Sequence, residues 1–303
     1  MSDSSRSSAP ILPSHVRSLF ARTERAAGSD FLRREIAGRM HERLALVKIA
    51  PERVLDAGCG SGADLAPLRA AYPESQLLGL DGAYEQLALA GVAAAPSGMK
   101  RLLSRVLPGK DAQALLCADF AALPLAPNSV DLVWSNLALH WHPQPDRVFA
   151  EWRRVMRLHG LLMFSCFGPD TLRQLRTAFE QAGLAPPLPP FVDMHDFGDM
   201  LVGAGFATPV MDMETITVTY RDTASLLADV RALGGNPLDT RARGLTGKSR
   251  WRAMLDALEA QRGPDGTIAL GFEVVYGHAF RPQARTTAAG ETIVRLELPS
   301  KRR

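Results

Sequence analysis

Residues 54–63 read Val-Leu-Asp-Ala-Gly-Cys-Gly-Ser-Gly-Ala, an apolar strand that runs through an acid into a turn with glycine at every second position. Such a turn lets a ligand approach the backbone closely, and Gly58, Gly60 and then Ala63 fit the loose spacing of dinucleotide loops. Asp56 argues against a phosphate. Two like charges about 4 Å apart at an effective dielectric near 20 repel by roughly 4 kcal/mol. A positively charged ligand turns that repulsion into attraction. The loop therefore suits a nucleoside ligand whose other end is cationic.

Outward from this loop the chain alternates between short apolar strands and helices. Strands are expected at 76–80, ending in Asp81; at 114–117, ending in Asp119; at 130–135, before Asn136; and at 161–164. A helix is expected at 31–47, where Leu32, Ile36, Met40, Leu44 and Val47 recur at helical spacing. Further helices are expected at 64–71 and at 145–157, the latter stopped by Gly160. Strands apolar on both faces imply a parallel sheet covered by helices on both sides. In such sheets the ligand crevice lies beyond the carboxyl ends of the strands. Asp56, Asp81, Asp119 and Asn136 all fall there.

After residue 168 the texture changes to helices at 171–182, 196–204, 224–233 and 249–261, with strands at 215–220 and 268–279. The two strands are expected to extend the sheet as an antiparallel pair, and about 168–262 to form a cap over the crevice. The organisation expected is a disordered tail at 1–12 and one domain at 13–298.

S-adenosylmethionine answers these requirements, with an ammonium and a sulfonium at one end and adenosine at the other. Gly58, Gly60 and Gly62 are expected beside its methionine and ribose portions, with Asp56 favouring its positive charge. Asp81 is expected to accept the ribose hydroxyls, a role also found in nicotinamide enzymes. Asp119 is expected to accept from the adenine amino group, with Phe120 beside the ring and Asn136 at the end of the fourth strand.

The 303 residues are 46% apolar with a net charge of +3, which permits a large core and gives no global field suited to nucleic acid. Cys59, Cys117 and Cys166 lie far apart with no paired spacing, which speaks against a disulfide framework or a zinc site, and a reducing, cytoplasmic setting is expected. No apolar run reaches the roughly 18 to 20 residues of a membrane span. The Ser- and Arg-rich start lacks a signal-peptide core; a mitochondrial targeting segment is the alternative reading of it.

VLDAGCGSG, LLGLDGAYEQLALA, CADFAALPLAPNSVDLVWSNLALHW and LLMFSCFGPDTL resemble the class I methyltransferases and, more narrowly, the malonyl-[acyl-carrier protein] O-methyltransferase family of biotin synthesis. WSNLALHW, at 134–141, is the most specific of these, and FVDMHDFGDMLVGAGF, ITVTY, VRALGGNP and GFEVVYGHAF carry the likeness to about residue 280. The resemblance implies a seven-stranded Rossmann-like sheet with an antiparallel last strand. It also implies S-adenosylmethionine as methyl donor and an acyl carrier protein bearing a malonyl thioester as partner. The family has a tyrosine about seven residues after the position of Phe20; here no aromatic occurs between Phe20 and Phe31. FLRREIAGRM, FGPDTLRQLR and LVGAGF also resemble a respiratory complex I assembly factor associated with arginine hydroxylation, the second reading of the function. An idle S-adenosylmethionine-binding module is the third.

A malonyl carboxylate is already ionised at neutral pH, so no acid–base catalyst is expected. Asn136, His140 and Trp141 are expected to line the acceptor pocket, and Arg173 or Arg176 to orient the carboxylate. His140 and His142 flank Trp141 without further ligands at metal spacing, so no metal is expected.

Overall fold

The apolar strands pair because each has two faces to bury. The computed structural model describes residues 10–22, 30–94, 113–241 and 244–283. Its single sheet comprises β1 (Arg53–Ala57), β2 (Gln76–Asp81), β3 (Ala114–Cys117), β4 (Val130–Asn136), β5 (Met156–Phe167), β6 (Ala207–Tyr220) and β7 (Ile268–Phe280), in the order β3-β2-β1-β4-β5-β7-β6. The first five strands are parallel, and β7 runs antiparallel to both β5 and β6. This is the mostly parallel seven-stranded sheet expected, and its order reverses at β1, between β2 and β4. That reversal opens a crevice at the carboxyl ends.

Alternation along the strands sorts the core into two layers. On one face, Val54, Leu132, Trp134, Leu161 and Met163 meet Leu32, Ile36, Met40 and Leu44 of α2 (Asp30–Ala45). The same layer holds side chains of α6 (Arg173–Gln181), α8 (Thr223–Ala232) and α9 (Lys248–Glu259). On the other face, Leu55, Val133, Leu162 and Phe164 pack against Phe149 and Trp152 of α5 (Pro145–Val155) and Phe197 and Leu201 of α7 (Met194–Gly203). Among the described residues the remaining α-helices are α1 (Pro13–Phe20), α3 (Leu65–Ala71) and α4 (Tyr84–Ala94). In α3, Pro67 sits in the first turn, where its missing N–H has no intrahelical partner to lose.

Several boundaries differ from expectation. α5 ends at Val155, and Met156 is already extended, at φ −68° and ψ 145°. The pairing of β4 with β5 then slips between Val130/Met156 and Leu132/Leu161, so the intervening residues bulge. A Cβ on Gly160 would stand 2.9 Å from the Arg157 carbonyl and 3.0 Å from that of Asp131. Gly160 therefore permits a close backbone approach instead of stopping the helix. β6 begins at Ala207, well before 215; Pro209 and a register break between Ala207 and Val210 mark its start, which an edge strand tolerates.

Most of the segment 168–262 packs away from the crevice, although Leu233 lines it. α6, α8 and α9 join the α2 layer, α7 joins the opposite one, and β6 lies in the sheet. Residues 10–12, expected in the tail, are packed against 237–239. Ile11 is 4% exposed and bridges Leu238, and Leu12 N–H donates to the Pro237 carbonyl at 3.2 Å. Residues 1–9 and 284–298, together with the position of the missing tyrosine, lie outside the described residues.

α2 is fixed at its far end. Arg39 pairs with Glu214 of β6, Arg43 Nη2 lies 2.6 Å from Asp212 Oδ2, and the Arg43 guanidinium sits 4.0 Å over the Tyr276 ring. Asn136 Nδ2 donates to the Arg33 carbonyl at 3.1 Å near the other end. These contacts hold Asp30 and Arg33 over the crevice.

Candidate active site

The glycine loop closes on the end of β2. Gly58 and Cys59 N–H groups donate to the Leu80 carbonyl at 2.7 and 2.9 Å. Asp81 Oδ2 accepts from Gly60 N–H at 2.9 Å and Oδ1 from Ala83 N–H at 2.8 Å. The carboxylate is thus oriented by two backbone donors before any ligand arrives. Gly58 and Gly60 have φ of 86° and 53°, in the region that favours glycine.

A cavity of about 370 Å³ opens above this loop, within the range usual for small-molecule sites. Gly58, Gly60, Asp81, Asp119, Phe120 and Asn136 line it, as do His140 and Trp141. A Cβ on Gly60 would find only Gln86 Oε1, at 4.0 Å. The space over this glycine is therefore cavity, and a side chain would intrude on it. Asn136 is locked in place: its Oδ1 accepts from Ser165 Oγ at 2.8 Å while its Nδ2 holds the Arg33 carbonyl. Asp119 Oδ1 accepts from Ala121 N–H at 2.8 Å and lies 3.9 Å from His142 Nε2.

Four expected residues do not reach the cavity wall. Asp56, only 2% exposed, lies beneath the loop because β1 is paired on both sides. Burial pushes its carboxyl well above the usual range, and Asp64 and Asp81 push it further. Gly62 turns toward packing, where an added Cβ would stand 2.9 Å from Leu65 Cδ1 and 3.0 Å from Ala90 Cβ. Arg173 and Arg176 also lie off the cavity. α6 follows left-handed Leu172 and buries Leu175, Ala178 and Phe179, leaving Arg173 exposed and 3.8 Å from Asp170.

Two residues that sequence reasoning passed over take their places. Asp64, at the start of α3, is 8% exposed, lines the cavity, and accepts from Trp134 Nε1 at 2.9 Å. Burial raises its carboxyl, while the Trp134 and Asn136 hydrogen bonds pull it down. Arg33, from α2, also lines the cavity and lies 3.6 Å from Asp30. Burial lowers its guanidinium, and Asp30, Asp64 and Asp81 favour its charged form. The signal for Asp64 was present in the sequence, two residues past Gly62. Arg33 stood among several arginines of one helix, and only the packing distinguishes it.

Asp64 and Asp81 on the wall, with Asp56 behind them, form an acidic hollow partly balanced by Arg33. Burial raises these carboxyls, and a cationic group entering the hollow favours their charged forms. The rim opposite is aromatic. His140 lies 5.0 Å from Trp141, 4.9 Å from Phe167 and 5.7 Å from Phe191, centroid to centroid. Its pKa is lowered to about 3, first by burial and then by Arg33. Neither ring nitrogen has a hydrogen-bond partner among the described residues.

A reversed parallel sheet, a glycine loop held by a strand-end aspartate and an acidic hollow for a cation define a class I methyltransferase, whose methyl donor is S-adenosylmethionine. In agreement, residues 55–164 match a family model described as a methyltransferase domain. The YcgJ protein of Bacillus subtilis shares the fold, with a TM-score of 0.55 at 13% identity over 81% of this chain and 98% of that one. The chain is 47% identical over 278 residues to the malonyl-[acyl-carrier protein] O-methyltransferase of Laribacter hongkongensis, covering 90% of each. It is 43% identical over 288 residues to that of Gallionella capsiferriformans, covering 94% of this chain and 97% of that one. It belongs to the malonyl-[acyl-carrier protein] O-methyltransferase family.

Proposed function

We propose that the protein transfers a methyl group from S-adenosylmethionine to the free carboxylate of a malonyl thioester on acyl carrier protein, in the cytoplasm, as a step of biotin synthesis. The observation that carries this reading is the extent of the match: it covers 90% of both chains. The likeness thus runs well beyond the glycine loop and the core of the cofactor fold. Methylation masks a charge that a fatty-acid elongation enzyme would otherwise have to desolvate.

The residues present suit the donor. Asp81 would take the ribose hydroxyls, Asp119 and Phe120 the adenine, and Gly58 and Gly60 the methionine and ribose portions. Asp64 would face the positive charge, with Asp56 adding to the field from behind. Bound there, S-adenosylmethionine supplies an electrophilic methyl group on a sulfonium. His140, Trp141 and Phe167 would wall the acceptor side. Arg33, in place of Arg173 or Arg176, would hold a ligand carboxylate. Asn136 would act through α2, keeping Arg33 in position.

The acceptor carboxylate needs no base, since it titrates well below neutral pH. Alignment of the carboxylate oxygen with the methyl group, and removal of water from that oxygen, are then the protein's contributions. His140 cannot serve as a base at neutral pH in the ordinary way, because burial keeps its conjugate acid too strong.

The limiting rate should therefore stay flat from about pH 6 to pH 9, and His140→Gln should retain much of it. Stability supplies the second readout. As pH falls from about 6.5 toward 3, the unfolded chain takes up a proton that folded His140 refuses, so His140 makes the wild type lose stability through that window. His140→Gln removes this contribution and should lose less stability between neutral pH and about pH 4.5 in urea titrations. A rate that depends steeply on a group titrating near pH 7, and is abolished in His140→Gln, contradicts the base-free mechanism. In cells, the gene should restore growth without biotin to a strain lacking this methyltransferase; failure of the expressed protein to do so counts against the proposed function.

A further inference from the structure

A second, smaller cavity of about 230 Å³ lies beside the first. Phe20 lines both. Residues 232–234 alternate between them: Ala232 and Gly234 line the second cavity, and Leu233 lines the first. The partition is thin. Phe20 and Trp141 meet edge to face, with centroids 5.4 Å apart and an interplanar angle of 79°. A Cβ on Gly234 would stand 2.5 Å from Trp141 Cζ2 and 3.1 Å from Phe20 Cζ. Any larger residue at this position would press on both rings.

The two cavities differ in charge. The first has Asp30, Asp64, Asp81 and Asp119 in its wall, together with Arg17, Arg33 and Arg34. The second has Arg231 and Arg241, both exposed, and no carboxylate among its described lining residues. The inner cavity thus mixes both signs of charge, whereas the described lining of the outer one carries positive charge alone. A phosphate is attracted to the outer one. Guanidinium groups suit it because they present paired donors to phosphate oxygens.

An acyl group on a carrier protein must enter the inner cavity while the carrier stays outside, so its linker has to run from that cavity to the surface. The pantetheine arm is uncharged along most of its length and ends in a phosphodiester at the carrier. We propose that the outer cavity binds that phosphodiester through Arg231 and Arg241, while the arm passes the Phe20–Trp141 pair and delivers the acyl group to the inner cavity. The inference rests on the proposed function and adds to it a station for the phosphate. It also gives the VRALGGNP segment a role, since Arg231, Gly234 and Asn236 all belong to it.

The test compares malonyl-pantetheine with malonyl-4′-phosphopantetheine, which differ only in the phosphate, and malonyl-acyl carrier protein. Wild-type protein should prefer the phosphorylated arm by about tenfold or more in kcat/KM. In Arg231→Gln/Arg241→Gln that preference should vanish, through KM, with activity on malonyl-pantetheine kept within about twofold of wild type. The loss on the carrier-bound substrate should shrink as salt is raised. Equal activity on both arms in the wild type, or a double variant that loses the two equally or loses neither, overturns the phosphate site while leaving the methyltransferase reading in place. A wild type that methylates none of the three overturns both.

Discussion

Asp81→Ala should weaken S-adenosylmethionine binding by about ten- to 150-fold in calorimetric titrations, the equivalent of about 1.5 to 3 kcal/mol for lost hydrogen bonds to a charged acceptor. Asp81 is singled out because its geometry is set in advance: Gly60 N–H and Ala83 N–H each hold one oxygen. The substitution removes the acceptors for the ribose and also frees the Gly60 peptide that shapes the loop. The fold should survive, since burial already disfavours this carboxylate. Wild-type affinity in a folded Asp81→Ala protein would remove the basis for the cofactor placement.

Gly58→Ala and Gly60→Ala should fail in different ways, although they sit two residues apart. A Cβ on Gly58 would stand 2.2 Å from Ala138 Cβ, and the backbone on that side cannot easily yield. Leu137 is itself left-handed, at φ 51°, and its N–H is held by the Ser165 carbonyl at 3.2 Å and Ser165 Oγ at 3.0 Å. The overlap and the positive φ together should cost roughly 2 to 5 kcal/mol, visible as a lower urea midpoint. At Gly60 the added methyl meets nothing in the protein closer than 4.0 Å. The stability loss there should be only the roughly 1 to 2 kcal/mol of a left-handed alanine. Its methyl group would instead occupy the ligand's approach, so the larger effect should fall on cofactor affinity. A stable Gly58→Ala protein, or a Gly60→Ala protein that binds the cofactor normally, would show that the loop is not packed as described.

The cofactor half of the site was legible because its determinants are local. The glycine loop, Asp81 and Asp119 each stand at the end of a recognisable strand, and a parallel sheet brings strand ends together whatever the loops between them do. β3 was readable to the residue for the same reason. The acceptor side was harder to read. Arg33, Arg173 and Arg176 are alike in sequence, being arginines on amphipathic helices. Which of them faces the cavity depends on how α2 is tethered to β6 through Arg39 and Arg43, a contact between residues far apart in the chain. Asp56 misled for a related reason. Its place at a strand end is clear, but its burial follows from pairing with both β2 and β4. α4 went unread because alanine, leucine, glycine and valine fill most of it, leaving no clear apolar stripe.

The most direct test of the central claim is methyl transfer from isotopically labelled S-adenosylmethionine, with malonyl- and acetyl-acyl carrier protein offered in parallel to the purified protein. The malonyl thioester should acquire label as a methyl ester that mild base removes, and the acetyl thioester, which lacks the free carboxylate, should acquire none. Label on a protein side chain, equal label on both thioesters, or no transfer to the malonyl group would contradict the account.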